Sequence, residues 1–146
     1  MKYAFILLAM AGMLFSCSQG HGDEASHSEA HATPTALALN DGERWQADEP
    51  TNDNLQQLQQ LMEDHLNQPE ADSIDAINEL GRGMQLGFQE VFKECRMQGT
   101  EHDMLHAYLM PMLEDVKALE TNNPETALAA RDRLAERLGE YQTYFK

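Results

Sequence analysis

The side chains best equipped for chemistry fall in one stretch, positions 95–110, CRMQGTEHDMLHAYLM. It carries the thiol of Cys95, the imidazoles of His102 and His106, and the thioethers of Met97, Met104 and Met110. His102 and His106 stand four apart, which on a helix puts both rings on nearly one face, where they could share an ion. Thiolate, imidazole and thioether together suit soft ions, copper(I) first and zinc(II) next. Zinc would ask for a fourth ligand beside Cys95, His102 and His106; Met97, Met104 and Met110 lie near by. The competing reading is packing: cysteine behaves as a small buried hydrophobe and methionine fills gaps in cores. The spacing matches no specific metal signature such as paired CxxC motifs. A b-type haem held by a His or Met is a further alternative; covalent haem is excluded, because no CxxCH is present.

Cys95 and His102 can meet only if the chain reverses between them, and Gln98-Gly99 supplies that turn. From residue 53 onward the apolar pattern is helical. Asp53 with Gln56 reads as a capping pair, followed by the stripe Leu55, Leu58, Met62 and Leu66, and Pro69 ends the helix. A second helix starts near Asp72 with the seam Ile74, Ile77, Gly81, Met84, Phe88, Val91 and Cys95, whose alternate three- and four-residue steps mark a bundle interface. Gly81, Gly83 and Gly87 within it suggest close helix approach or a bend, since each costs about 1 kcal/mol in a helix interior. Thr100 with Asp103 resembles a capping box for a third helix with the seam His102, Leu105, Leu109, Met112, Val116 and Leu119. Pro111 inside it predicts a kink that frees the Ala107 carbonyl. Asn123-Pro124 opens a fourth helix as cap and first-turn residue, with the stripe Ala127, Ala130, Leu134, Leu138, Tyr141 and Phe145. Four amphipathic helices with short joints predict an all-α, antiparallel up-down-up-down bundle over 53–146. That topology places Met62 and His65 at the end opposite Cys95, where His65 reads as a partly buried polar residue rather than a ligand.

Residues 37–52 form a lead-in with a turn at Asp41-Gly42 and the single tryptophan, Trp45, which is expected to dock it on the bundle. Residues 18–36, SQGHGDEASHSEAHATPTA, are small and polar with no periodicity and read as a disordered tether; His21, His27 and His31 in it could gather ions weakly or serve as plain linker residues. Before it, residues 4–15 form an apolar run too short to cross a membrane, which takes about 20 residues, but long enough for a signal-peptide core after Lys2. Leu14-Phe15-Ser16-Cys17 resembles the lipobox of bacterial lipoproteins. The resemblance implies a signal peptide over 1–16 and a diacylated Cys17 at the start of residues 17–36. An ordinary signal peptide with a free Cys17 is the alternative. Several acyl chains, at about 0.8 kcal/mol per buried methylene, would hold the protein on a membrane without a spanning helix.

The formal charge of −15 has the wrong sign for nucleic acid. It also opposes binding to anionic lipid, so the acyl anchor would have to attach the chain; cations are the natural small partners. With Cys17 acylated, Cys95 is a lone thiol in a compartment that favours disulfides. No nucleophile–base constellation, Gly-rich phosphate loop or distinctive carboxylate pair points to an enzyme. The segments LNDGERWQADEPT and FKECRMQGTEHDMLHAYLMP resemble parts of a family of small helical envelope lipoproteins of Gram-negative bacteria. That resemblance implies a lipid-anchored place in the envelope, at the outer membrane facing the periplasm, and hints at metal handling there, but supplies no activity and no functional residues. Two functions of different class follow: a soft-metal-binding lipoprotein using Cys95, His102, His106 and Met97, or a non-catalytic module holding an envelope protein partner near the membrane.

Overall fold

The computed structural model describes residues 36–146; the expected signal peptide, Cys17 and the tether with His21, His27 and His31 lie outside the described residues. Four long helices follow one another: α1 (Glu49–Leu66), α2 (Ile74–Glu94), α3 (Gly99–Leu119) and α4 (Pro124–Gly139), with a single closing turn, α5 (Tyr141–Tyr144). Each long helix packs on its neighbour in sequence, α1 closes the ring against α4, and α2 also reaches α4 across the diagonal. The fold is the antiparallel four-helix bundle that the seams predict. Among the described residues no helix is long and apolar enough to cross a membrane.

The helix starts follow local chemistry, not always at the expected residues. The first helix begins four residues before Asp53. Asp48 caps it, its carboxylate accepting the Thr51 N–H at 3.0 Å, and Glu49 and Pro50 occupy the first turn. A carboxylate satisfies an orphan amide there and complements the positive end of the helix dipole, while proline has no N–H to waste. Ser73 caps α2 through Ala76 N–H at 3.3 Å, and Asn123 caps α4 through Thr126 N–H at 3.0 Å with Pro124 behind it. The third helix starts ahead of the cap expected at Thr100: α3 begins after Gln98, which makes no side-chain cap bond, and Gly99 takes a φ of +65°. Pro111 faces solvent, and α3 runs through it to Leu119 without a break.

The seams meet in one core. Leu55, Ile77, Met84, Leu109, Met112, Leu119, Ala127, Ala130 and Leu134 are fully buried, with Phe88 and Leu138 almost so. One expected core position is lost and two are reached outside α4. Leu66 is 45% exposed, and His65 takes the last inward place of α1. Tyr141 and Phe145 are buried, but past the end of α4: the helix stops at Gly139, and Phe145 is extended. There the lead-in returns. Trp45 N–H donates to Tyr144 O at 2.7 Å, Lys146 N–H to Trp45 O at 2.9 Å, and Ala47 N–H to Lys146 O at 3.0 Å, a parallel pairing of the two ends of the domain. Asp41 and Gly42, both at positive φ, turn the lead-in between Asn40 and Glu43, and the Trp45 indole N–H donates to Ala38 O at 2.6 Å.

The α2 glycines mark close approach. A Cβ on Gly81 would stand 2.9 Å from Leu119 Cβ, and one on Gly87 would overlap the Leu58 side chain. At Gly83 the nearest atom is only the tip of Leu61, at 3.0 Å, on a half-buried residue that can turn aside. Gly81→Ala should therefore lose more by overpacking, about 1–3 kcal/mol, than the roughly 1 kcal/mol it gains in helix propensity, lowering Tm by several degrees. Gly83→Ala should keep the propensity gain and leave Tm equal or higher. Thermal melts of the two variants check the contrast; equal responses would mean that Gly81 does not set the distance between α2 and α3.

Candidate functional site

The joint between α2 and α3 brings the chemically equipped residues to one end of the bundle. α2 ends at Glu94; Cys95 still donates its N–H to Val91 O at 3.1 Å, but its own backbone is extended, so the chain leaves the helix at the thiol. Four residues later Gly99 starts the return. As a result Cys95 Sγ and His102 Nδ1 lie 3.7 Å apart. Both residues are half-buried, and Cys95 is unbridged. The ring of His106, one turn on, stacks against that of His102 at 4.4 Å with a 48° tilt, and Phe92 of α2 meets His106 edge-on at 5.9 Å. Met97 and Met104 are half-buried at the margin of the core, while Met110 is 47% exposed.

The distances allow some chemistry at once and other chemistry only after movement. An ion bound at about 2.3 Å to sulfur and about 2.05 Å to nitrogen in tetrahedral geometry holds the two donors about 3.6 Å apart. Cys95 and His102 already stand at that separation. The His106 ring lies against that of His102, and no group of three His, Cys, Asp or Glu placed to hold an ion occurs among the described residues. A thiol beside an imidazole is also the contact through which histidine can take a proton from cysteine. The sequence spacing of seven residues did not present the two as such a pair.

Sequence reasoning missed the residue that positions the joint. Asp48 caps α1 with one carboxylate oxygen and with the other accepts the Arg96 N–H at 2.6 Å, immediately after Cys95. Burial opposes its ionisation, but hydrogen bonds from Thr51 and Arg96 outweigh that and hold its carboxyl below the usual value of 3.8. The same end is braced by Asn54 Nδ2, which donates to Glu94 Oε2 at 3.0 Å, and by the Tyr141 hydroxyl, which donates to Asn52 Oδ1 at 2.8 Å. Burial, then the charges of Asp48 and Cys95, push the Tyr141 hydroxyl far above its ordinary range, so it stays a donor. The rings of Tyr108, Tyr141 and Phe145 cluster with centroids 5.2–5.8 Å apart, Tyr141 and Phe145 stacked and Tyr108 tilted against both. The signal for Asp48 was legible: an aspartate directly before Glu49-Pro50 is a helix start. Its second bond, to a residue 48 positions away, was not.

At the opposite end His65 is buried rather than half-buried, at 3% exposure, and Met62 beside it belongs to the core. A groove of about 310 Å³ runs between α2 and α3, floored by Phe88 and Val116 and edged by Phe92, Leu113 and Lys117. No protein-family model, curated protein or solved structure matches the chain.

Asp48→Ala removes a helix cap and a charge-assisted bond to the joint. It should cost roughly 1–2 kcal/mol in denaturant unfolding at neutral pH, while Asp48→Asn, which can still cap, should cost less. Because the folded carboxyl titrates below 3.8, this contribution is present above that pH and fades as pH falls through the lower folded value. Unfolding curves at neutral and acid pH check both; a wild-type–alanine difference that persists in strong acid would sink the assignment.

Proposed function

We propose that this protein is a lipid-anchored envelope protein that binds a soft metal ion, copper(I) foremost, at the joint between α2 and α3. The observation that supports it most is the 3.7 Å separation of Cys95 Sγ and His102 Nδ1, which suits two ligands of one ion. A thiolate with an imidazole favours copper(I) over harder ions, with zinc(II) second. His106 would complete the set by turning off the face of His102, and Met97 would supply a thioether from the joint. The acidic composition favours a cationic ligand, and Cys95 and His102 are half-buried, which shields the pair in part from water. Lipid on Cys17 would keep the domain at the membrane, at the outer membrane facing the periplasm, with the tether as spacer. A haem in the core would have to displace fully buried side chains such as Leu109 and Met112, and therefore has less support than an ion at the surface joint.

The second reading is an interaction module for an envelope partner. Its support is the groove between α2 and α3 together with the exposed apolar side chains Phe92 and Met110. The two readings part on metal affinity.

The test is a competition titration with a copper(I) chelator on the full chain, with His21, His27 and His31 changed to alanine so that the tether does not bind. Cys95→Ser should weaken copper(I) binding by roughly a hundredfold, about 2.7 kcal/mol, and zinc(II) binding less. His102→Ala should weaken both. Affinity should fall as pH falls, because protons compete for the thiolate and the imidazoles. Unchanged copper affinity in both variants would mean that the pair is packing, and the interaction module then becomes the better reading.

Attachment has its own readout. Cys17→Ala should move the protein from membrane to soluble fractions; a variant that stays with membranes after a salt wash is held by something other than lipid on that residue.

A further inference from the structure

The end of the bundle remote from Cys95 holds a buried polar cluster that the proposed metal site does not use. The joint between α1 and α2, residues 67–73, hangs from His65 on one side and from Arg131 of α4 on the other. Gln68 N–H donates to His65 O at 3.0 Å, and Ala71 N–H to Gln68 O at 3.3 Å. From the other side Arg131, 8% exposed, donates to Ala71 O at 3.2 Å and Asp72 Oδ1 at 2.5 Å, and through Nε and Nη2 to Asp132 Oδ1 at 3.0 and 2.7 Å. The His65 ring is buried in the same place, and its Nε2 has no hydrogen-bond partner. It borders a recess of about 120 Å³ lined by Leu61, Asp64, Gln68, Glu79 and Leu80.

We propose that His65 and Arg131 form an acid-sensitive latch: the neutral imidazole allows the guanidinium to lie buried beside it, and protonation of His65 releases the α1–α2 joint from α4. A neutral ring with its proton on Nδ1 leaves Nε2 as an unpaired acceptor, the less costly way to bury it. Protonation turns Nε2 into a charged donor with nothing to donate to, next to a second cation. The charges around it do not compensate. Asp72 from the joint and Asp132 from α4 are engaged by Arg131, and their side chains are 80% and 65% exposed, where solvent screens them. Asp64 on α1 and Glu79 on α2 are exposed. Burial first and Arg131 second hold the ring below the usual histidine value of 6.5, against the Ala71 carbonyl and Asp72, which favour the charged form.

The sign of the response follows. A histidine that binds its proton less readily when folded contributes stability that is full above 6.5 and is lost as pH falls from there to the lower folded value, below which the loss levels off. Amide hydrogen exchange on the full chain at several pH values from about 7.5 to about 5, corrected for the intrinsic rates, reads this directly. Opening of residues 67–73 and of the last turn of α1 should become up to about tenfold more frequent per pH unit within that window. The joint between α2 and α3 should respond less. His65→Leu and His65→Gln should each abolish the acid response at 67–73 whatever they do to overall stability. The latch is overturned by equal opening at all pH values, by acceleration spread evenly over the four helices, or by a response that survives in both variants. Should neither variant fold, the wild-type profile decides alone, since the remaining described histidines, His102 and His106, lie at the other end.

Discussion

The bundle depends on how near α2 can come to its neighbours. This helix touches α1, α3 and α4, and it meets α1 and α3 across positions with no side chain. Leu58 of α1 lies over Gly87, and Leu119 of α3 over Gly81, each closer than an alanine would permit. Backbone flexibility is given up for contact: the helix loses propensity at these glycines, and the leucines gain neighbours on every side. Packing of this density makes the rest of the seam follow, because Ile77, Met84, Phe88 and Val91 are then held at the centre with almost no access to water. The approach is not uniform. Toward its second half α2 leaves a groove against α3, with Phe92 at the rim.

The candidate cluster sits at the joint between α2 and α3, where the ends of the domain converge. One carboxylate, Asp48, both starts α1 and grips the residue after Cys95. The last three residues pair with the lead-in directly behind it. A thiol and an imidazole placed on such a frame have little freedom to drift, which suits a site whose donors must keep a fixed separation. The His106 ring lies between those of His102 and Phe92. Polar groups elsewhere are matched across helices in the same economical way: Asp115 of α3, 7% exposed, accepts two bonds from Arg133 of α4 at 2.6 and 2.9 Å. Arg131 serves the remote end similarly, beside the buried His65, whose Nε2 has no hydrogen-bond partner.

Helix number, order and inward faces could be read from the chain, because burial of an apolar stripe repeats every three or four residues and needs no knowledge of the partner. Asn123-Pro124 and the turn at Asp41-Gly42 were legible for the same reason: caps and turns are satisfied by atoms within a few residues. The candidate cluster of Cys95, His102 and His106 was also visible as residue types around one turn. What local pattern could not supply was anything requiring a second segment. The start of α1 moved to Asp48, whose carboxylate also serves Arg96. Leu66 gave up its inward place to His65, because only the packed bundle decides which residue of a final turn faces α4 and the joint. Tyr141 and Phe145 kept the inward positions that periodicity assigned, yet reached them outside α4, since the chain breaks at Gly139 to pair with the lead-in. The contact of His106 with Phe92 likewise depends on a second helix. Short-range hydrogen bonds and periodic burial are properties of the sequence alone, whereas ring orientation, the separation of thiol and imidazole, and the burial of a polar side chain are set by atoms that only folding brings near.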